Sequence, residues 1–339
     1  MGVPSFLRQP QVLGLVRGIP LDERYLGQRW LPFSDVASDE FICNIETTEN
    51  PMAPFVSVDA ESPRLGEGEL IQQVRQSVAF IRYKLSLKES DLRIFEDIAG
   101  SALSVVGQMA AERRATIERS IMRISRAVDA RVEWLRMQAL QGSIAYEDPQ
   151  VKFSITFPNT YTPTPANLWS DTTLGDPVKD IGDWIYYVGQ NGGIEPAVMV
   201  MSRRVLWAMG QNTKIQNLWT TLRGSGAAAT LTENLVKMLL KQIFDIEIVT
   251  YDAKYTTRTI SATPTRTVSR FLADNVVLLL PNRPLGSVAT SPAPPDFSHT
   301  GKYSWTKEEI DPWVVEVGAG INCFPKVDYP MLICHATVL

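Results

Sequence analysis

"ERRATIERSIMRISRAVDARVEWLRMQALQG", residues 112–142, carries the longest helical signal in the chain. Ile117, Ile121, Ile124, Val128, Val132 and Leu135 succeed one another at steps of 4, 3, 4, 4 and 3. Side chains so spaced fall on one stripe of a 3.6-residue helix. The pattern predicts a single helix from about Leu92 to Gln141, closed by Gly142 as C-cap. Its other faces hold Arg113, Arg114, Arg119, Arg123, Arg126, Arg131 and Arg136 against Glu112, Glu118, Asp129 and Glu133. A helix with one narrow apolar face is expected to lie on a sheet rather than inside a core. Its basic exterior admits two readings, a surface turned to nucleic acid or a solvated face diluted by acids.

Outward from this helix, the chain has the composition of a globular protein. Its 339 residues are 45% hydrophobic and 21% charged, enough for one large or two intertwined domains. A net charge of −4 argues against a chain built mainly to wrap nucleic acid. Three cysteines, Cys43, Cys323 and Cys334, are widely spaced and unpaired in number, which fits a reducing compartment. Arg8, Pro10, Arg17 and Pro20 interrupt the first thirty residues, so no signal peptide is expected there. No later run approaches the ~20 apolar residues of a membrane span.

Residues 1–40 have apolar anchors (Phe6, Leu7, Leu13, Leu15, Trp30, Phe33) but no sustained period. They are expected to form an arm packed on their own domain or on a neighbouring subunit. "FICNIE" (41–46), "FVSVDAESPRL" (55–65) and "QSVAFIRYKL" (76–85) are β-prone, with the charged, glycine-punctuated "GEGELIQQVR" (66–75) between the last two. That excursion is long and polar, so something outside the domain is expected to complete it. After the helix, "VKFSITFP" (151–158) reads as a strand. The chain then alternates between helices beginning at Pro177, after Ser202 and in "TLTENLVKMLLKQIF" (230–244, Thr230 and Glu233 as a capping box) and strands "PAVMVMS" (196–202), "DIEIVTY" (245–251) and "NVVLLLP" (275–281). Polar loops are expected at 211–229 and 252–270, a proline-rich loop at 281–300, and two or three closing strands from Asp311 onward.

Chemistry is hard to find in this pattern. "LRGSGAAAT" (222–230) lacks the lysine of a phosphate-binding loop, and "GAGINCFP" (318–325) runs into a proline instead of opening a helix. Neither His299 nor His335 sits in a catalytic motif. "NLWSDTTLGDPVKDIGDWI" (167–185) gathers Asp171, Asp176, Asp180 and Asp183, which invites a metal or acid–base reading. The spacing fits a helix start better. Asp176 before Pro177 is an N-cap with proline in the first turn, and Asp180 and Asp183 follow where the helix dipole favours negative charge. No cofactor or metal is expected.

Taken in order, these features resemble the lambda-like major capsid protein family (capsid protein E) with its Hong Kong 97-type fold. "FVSVDAESPRLGEGELIQQVR", "LWSDTTLGDPVKDI", "PAVMVMSRRVLWAM", "RFLADNVVLLLP" and "YPMLICHATVL" carry the resemblance, collinear over roughly residues 30–339. "SDEFICNIE" departs from the Thr-Glu-Lys-Val often seen at that point. The resemblance implies an α+β chain: an N-terminal arm (1–40), an extended loop with flanking strands (41–90), a peripheral domain with a spine helix (91–165), an α/β axial domain (166–310) and return strands (311–339). It implies a non-enzymatic subunit that self-assembles as hexamers and pentamers into an icosahedral phage head around double-stranded DNA, made in the host cytoplasm. Portal, scaffold or protease, and decoration proteins would be its partners, and no membrane. Arg64, Glu67, Glu69, Arg75 and Arg82 are candidates for charge pairs between subunits in the extended loop, and Arg113, Arg114, Arg119, Arg123 and Arg126 for contacts to DNA or a neighbour. An encapsulin-like shell holding cargo enzyme is the first alternative, a soluble α/β enzyme the second.

Overall fold

The structure is a computed structural model and describes residues 4–46, 71–92, 105–147, 152–223, 231–258, 266–293, 297, 299–311 and 313–339. The arm contains helix α1 (Gln9–Arg17) and strand β1 (Phe33–Asp35). Strands β2 (Glu40–Glu46), β3 (Ile71–Ser77) and β4 (Ala79–Lys88) follow, then a single turn α2 (Glu89–Leu92) and the spine helix α3 (Val105–Leu140). After the hairpin β5 (Ser143–Glu147) and β6 (Lys152–Thr156) come α4 (Pro177–Gly192), β7 (Val198–Met201), α5 (Arg203–Gln211), α6 (Thr213–Arg223), α7 (Glu233–Phe244) and β8 (Glu247–Thr250). The chain closes with β9 (Lys254–Arg258), β10 (Arg266–Arg270), β11 (Val276–Leu280), β12 (Gly286–Thr290), β13 (Tyr303–Ile310), β14 (Trp313–Val327) and β15 (Cys334–Thr337).

The spine helix is the organising element. All six residues of its predicted stripe are buried, and Gly142 ends it with φ 87°. Its first half lies on a sheet, as the narrow stripe requires: Ile117, Ile121 and Ile124 pack with Leu87, Val315, Val317 and Ala319. Its second half is covered on a further side as well, packing with Ile321 and Phe324 of β14 and with Val200 and Leu278 of the chain's other sheet. From Val128 onward it is engulfed, with Met137, Ala139 and Leu140 buried as well. The helix therefore needs two apolar faces near its end, and "RMQAL" (136–140) supplies the second.

The sheet under the spine helix is centred on the 15-residue strand β14. One side of β14 pairs with β4 from Val314 to Cys323. Strands β13 and β12 also pair with it, and β1 of the arm adds to β12 in parallel. The loop expected at 281–300 thus contains a strand, and the expected border at 310 falls in the turn between β13 and β14. Buried Phe6, Leu7, Val12 and Val16 pack the arm on its own domain, where α1 forms despite Gly14 because Val12 and Val16 find apolar partners.

The axial sheet has strand order β15-β11-β7-β8. Every residue of β7 ("VMVM") and β11 ("VVLLL") is buried, so these strands feed two cores. Val198, Val200, Leu278 and Leu280 face the spine helix, while Met199, Met201, Val277 and Leu279 face α4, α5 and α7. Two expected loops hold regular structure instead: Thr213–Arg223 is a helix, and β9 and β10 form a hairpin. Helix α7 begins at Glu233 with Thr232 as N-cap and no side-chain bond, so the expected capping box of Thr230 and Glu233 is displaced. The residues of "GEGELIQQVR" from Ile71 onward are a strand paired with β2, not part of a charged excursion. "FVSVDAESPRL" lies outside the described residues.

Candidate assembly surfaces

Beside its apolar stripe, the spine helix carries a second stripe one residue further on: Ser125, Asp129, Glu133 and Arg136, all buried. Ser125 Oγ donates to Val16 O of the arm (3.0 Å), and Lys302 Nζ stands 2.7 Å from the Asp129 carboxylate. Glu133 Oε1 accepts from the Gly27 N–H (2.9 Å) and from Tyr251 Oη (2.8 Å). Gly27 permits that approach, since a Cβ there would meet Arg136 Cβ at 2.7 Å and Glu133 Oε2 at 2.9 Å. The Arg136 guanidinium lies 4.0 Å from Glu133 Oε2 and over the Phe33 ring at 4.4 Å. This stripe fastens arm, spine helix, the β13 side of the sheet and the axial domain to one another. Burial pushes both carboxyl groups up from their ordinary range, against the pull of Lys302 on Asp129 and of the Gly27 and Tyr251 hydrogen bonds on Glu133. Sequence reading set Asp129, Glu133 and Arg136 on the outer faces. The available signal was the i, i+4, i+8, i+11 spacing of polar residues, in step with the apolar stripe.

The aspartate segment is structural in every contact it makes. Asp176 is the N-cap of α4: its Oδ1 accepts from the Lys179 N–H (3.2 Å), and Lys214 Nζ is 2.7 Å from Oδ2. Partial burial opposes ionisation there, but the Lys214 ammonium and the Lys179 N–H outweigh it and hold the carboxyl below its usual value. Asp171 accepts from the backbone N–H groups of Leu174 and Thr173 and from the Thr173 hydroxyl, closing the preceding turn. Asp180 accepts from Trp169 Nε1 (2.8 Å), and that indole stacks on Trp184 at 5.6 Å inside the axial core. Among the described residues, no group of His, Cys, Asp and Glu side chains is placed to hold a metal ion.

The residues expected to bridge subunits have different fates. Arg64, Glu67 and Glu69 lie outside the described residues. Arg75 is exposed on β3, facing Ile42 in register. Arg82 reaches across its own sheet: Nε donates to Tyr303 Oη (2.8 Å). Of the spine-helix arginines, Arg113 pairs with Asp91, Arg114 with Glu118 (2.8 Å) and the Phe6 ring, and Arg119 Nε bonds Ala115 O (3.1 Å). Arg123 and Arg126 are exposed. "GAGINCFP" also finds its use: Gly318 and Gly320 lie in β14 opposite Trp305 and Tyr303, and a Cβ at Gly318 would sit 2.2 Å from the Trp305 ring.

Large apolar side chains are exposed at several places in the fold, among them Phe80 and Tyr83 on β4. Ile310, at the tip of the β13–β14 hairpin, is 86% exposed. On the helical side of the axial sheet Tyr186 is 69% exposed and Trp207 63%, with Leu222 and Met238 also open. No helix among the described residues is long and apolar enough to cross a membrane.

Comparison with known proteins accords with this geometry. No curated protein matches the sequence. A crystal structure described as the capsid protein of a prophage of E. coli CFT073 is similar in fold, with 18% identity and a TM-score of 0.58 over 98% of this chain and 99% of that one. A phage-related protein from Bordetella bronchiseptica RB50 is similar at 15% identity and a TM-score of 0.50, over 97% and 96% of the two chains. The fold is the Hong Kong 97-type capsid fold. The profile of the family described as phage major capsid protein E matches residues 17–338, and this chain belongs to that family: it is a head shell protein of a phage virion.

Proposed function

We propose that the chain assembles as hexamers and pentamers into an icosahedral head around double-stranded DNA. The observation that carries the reading is the family match over residues 17–338. In this reading the axial domain (166–310) builds the capsomer centre with segments 211–229 and 281–300 towards its axis. The arm (1–40), extended loop (41–90), peripheral domain (91–165) and return strands (311–339) form the rest of the shell. The extended loop lies over an adjacent subunit, where Arg64, Glu67, Glu69 and Arg75 pair with its charges; Arg82, held by Tyr303, positions the strand leading from the loop. The subunit performs no catalysis and is assembled in the host cytoplasm, with portal, scaffold or protease, and decoration proteins as partners.

Electron microscopy of the overexpressed chain tests this. Uniform closed shells are the expected result. Small monodisperse particles alone, across a range of salt and protein concentration, would refute it.

A further inference from the structure

The hairpin of β9 and β10 has a charge pattern that the rest of the fold does not use. Between Asp252 and Asp274 the chain has no acidic residue, yet it holds Lys254, Arg258, Arg266 and Arg270. The antiparallel register sets Lys254 opposite Arg270 and Arg258 opposite Arg266. Directly opposed like charges work against strand pairing, and an anion inside the fold or outside it relieves them. Alternate residues share a face, so positions 254, 256 and 258 and their partners 270, 268 and 266 lie together on one side. On the other side Tyr255 packs its ring 5.0 Å from Phe271 and ties the ribbon to the core. At the root, Arg270 is neutralised by Asp252 and by Asp274 (2.6 Å). Lys254 and Arg266 are exposed and make no ion pair or hydrogen bond with another described residue.

We propose that this ribbon binds the phosphate backbone of duplex DNA without sequence preference, and that it, rather than the spine helix, is the chain's principal DNA contact. The proposal rests on the capsid reading for the presence of DNA. An acidic surface of a second copy fits less well. The obvious candidate, the aspartate segment, is occupied: Asp171 closes a turn, Asp176 holds Lys214, and Asp180 takes the Trp169 indole N–H. The spine helix is the weaker DNA site because Arg113, Arg114 and Arg119 already have partners within the chain. The exposed hydroxyl of Thr256, on the same side as Lys254 and Arg266, suits phosphate contacts, which fix position and carry no base information.

The test is fluorescence anisotropy of a labelled duplex of about 20 base pairs with the full chain, at roughly 50–200 mM NaCl. Compared with wild type are K254A/R258A/R266A, its charge-retaining counterpart K254R/R258K/R266K, and R119A/R123A/R126A. The expected result is at least a tenfold loss of affinity for the ribbon alanine variant. Its salt slope should fall by about 0.9 for each phosphate contact removed. The charge-retaining and helix variants should bind as wild type does, and a duplex of different sequence should give the same curves. Unchanged binding by the ribbon alanine variant, loss of binding by the helix variant, or no salt-dependent binding by wild type would each overturn the proposal. So would a ribbon alanine variant that keeps duplex binding but forms no particles, because the face would then belong to a second copy. Particle formation is scored separately by microscopy, so a wild type that binds duplex without forming shells would sink the capsid reading and leave the ribbon assignment standing.

Discussion

Glu133 is the residue on which most of the fold converges, since its one carboxylate holds the arm through Gly27 and the axial domain through Tyr251. Removing one member of a buried charged pair leaves the others desolvated and unmatched, which costs about 3–5 kcal/mol. Glu133→Leu should therefore lower the stability of unassembled subunits by that order in urea unfolding, while Glu133→Gln, which keeps an acceptor for both donors, should cost less. Burial raises the Glu133 carboxyl above its unfolded value. The folded state then binds the proton more tightly, so its contribution is greatest below the unfolded range near ~4.3 and is lost as pH rises through the folded value. Wild type should gain stability relative to Glu133→Gln as pH falls from neutral towards that range; a difference independent of pH would count against the assignment. Asp176 acts on a smaller scale. Asp176→Ala removes an N-cap and the Lys214 partner and should cost about 0.5–2 kcal/mol, visible as a lower Tm with no change in metal content.

At the scale of elements, strong periodicity was readable and context was not. The apolar stripe of α3, the Asp176–Pro177 start of α4 and the strands β7 and β11 follow from spacing and capping chemistry alone. The helix α6 was hidden because its threonines weaken the local helical preference, which packing of Ile215 into the axial core overrides. The β9–β10 hairpin, whose Tyr255, Thr256, Thr257, Thr267 and Val268 favour strands, was passed over because its polar run lacks a clear apolar alternation. Strand β12 was hidden behind prolines, and it exists because β14 and the arm pair with it on either side. The buried polar stripe of α3 was read as outer surface because a sequence does not say which acid will meet Lys302, Gly27 or Tyr251. Glycines in a strand are equally ambiguous. Gly318 is needed because the Trp305 ring fills the space above it, so Gly318→Val should overpack that face at a cost of about 1–3 kcal/mol. A red-shifted tryptophan emission with a lowered Tm would show the displaced indole. Wild-type values for both would mean that the ring moves aside freely.

Across the whole molecule, the two cores cannot separate, because β7 and β11 present alternate side chains to each. Unfolding the axial helices would expose Met199, Met201, Val277 and Leu279, and would free strands that also wall the core around the spine helix. At roughly 25 cal/mol per Å² of apolar surface, neither core keeps its sheet once the other has lost it. The three cysteines report on this directly. Cys43 lies under β14, Cys323 within it, and Cys334 in the axial core. Burial pushes the first thiol up to about 11, the second to about 12 and the third higher still, so none offers a thiolate to a reagent at neutral pH. In native buffer a thiol-specific reagent should label no cysteine of the folded subunit. In rising urea, Cys323 and Cys334 should become reactive at one common midpoint, read by mass spectrometry of the labelled peptides. If Cys334 were labelled at distinctly lower urea than Cys323, the axial domain would open by itself, and the shared sheet would not be what couples the two halves of this subunit.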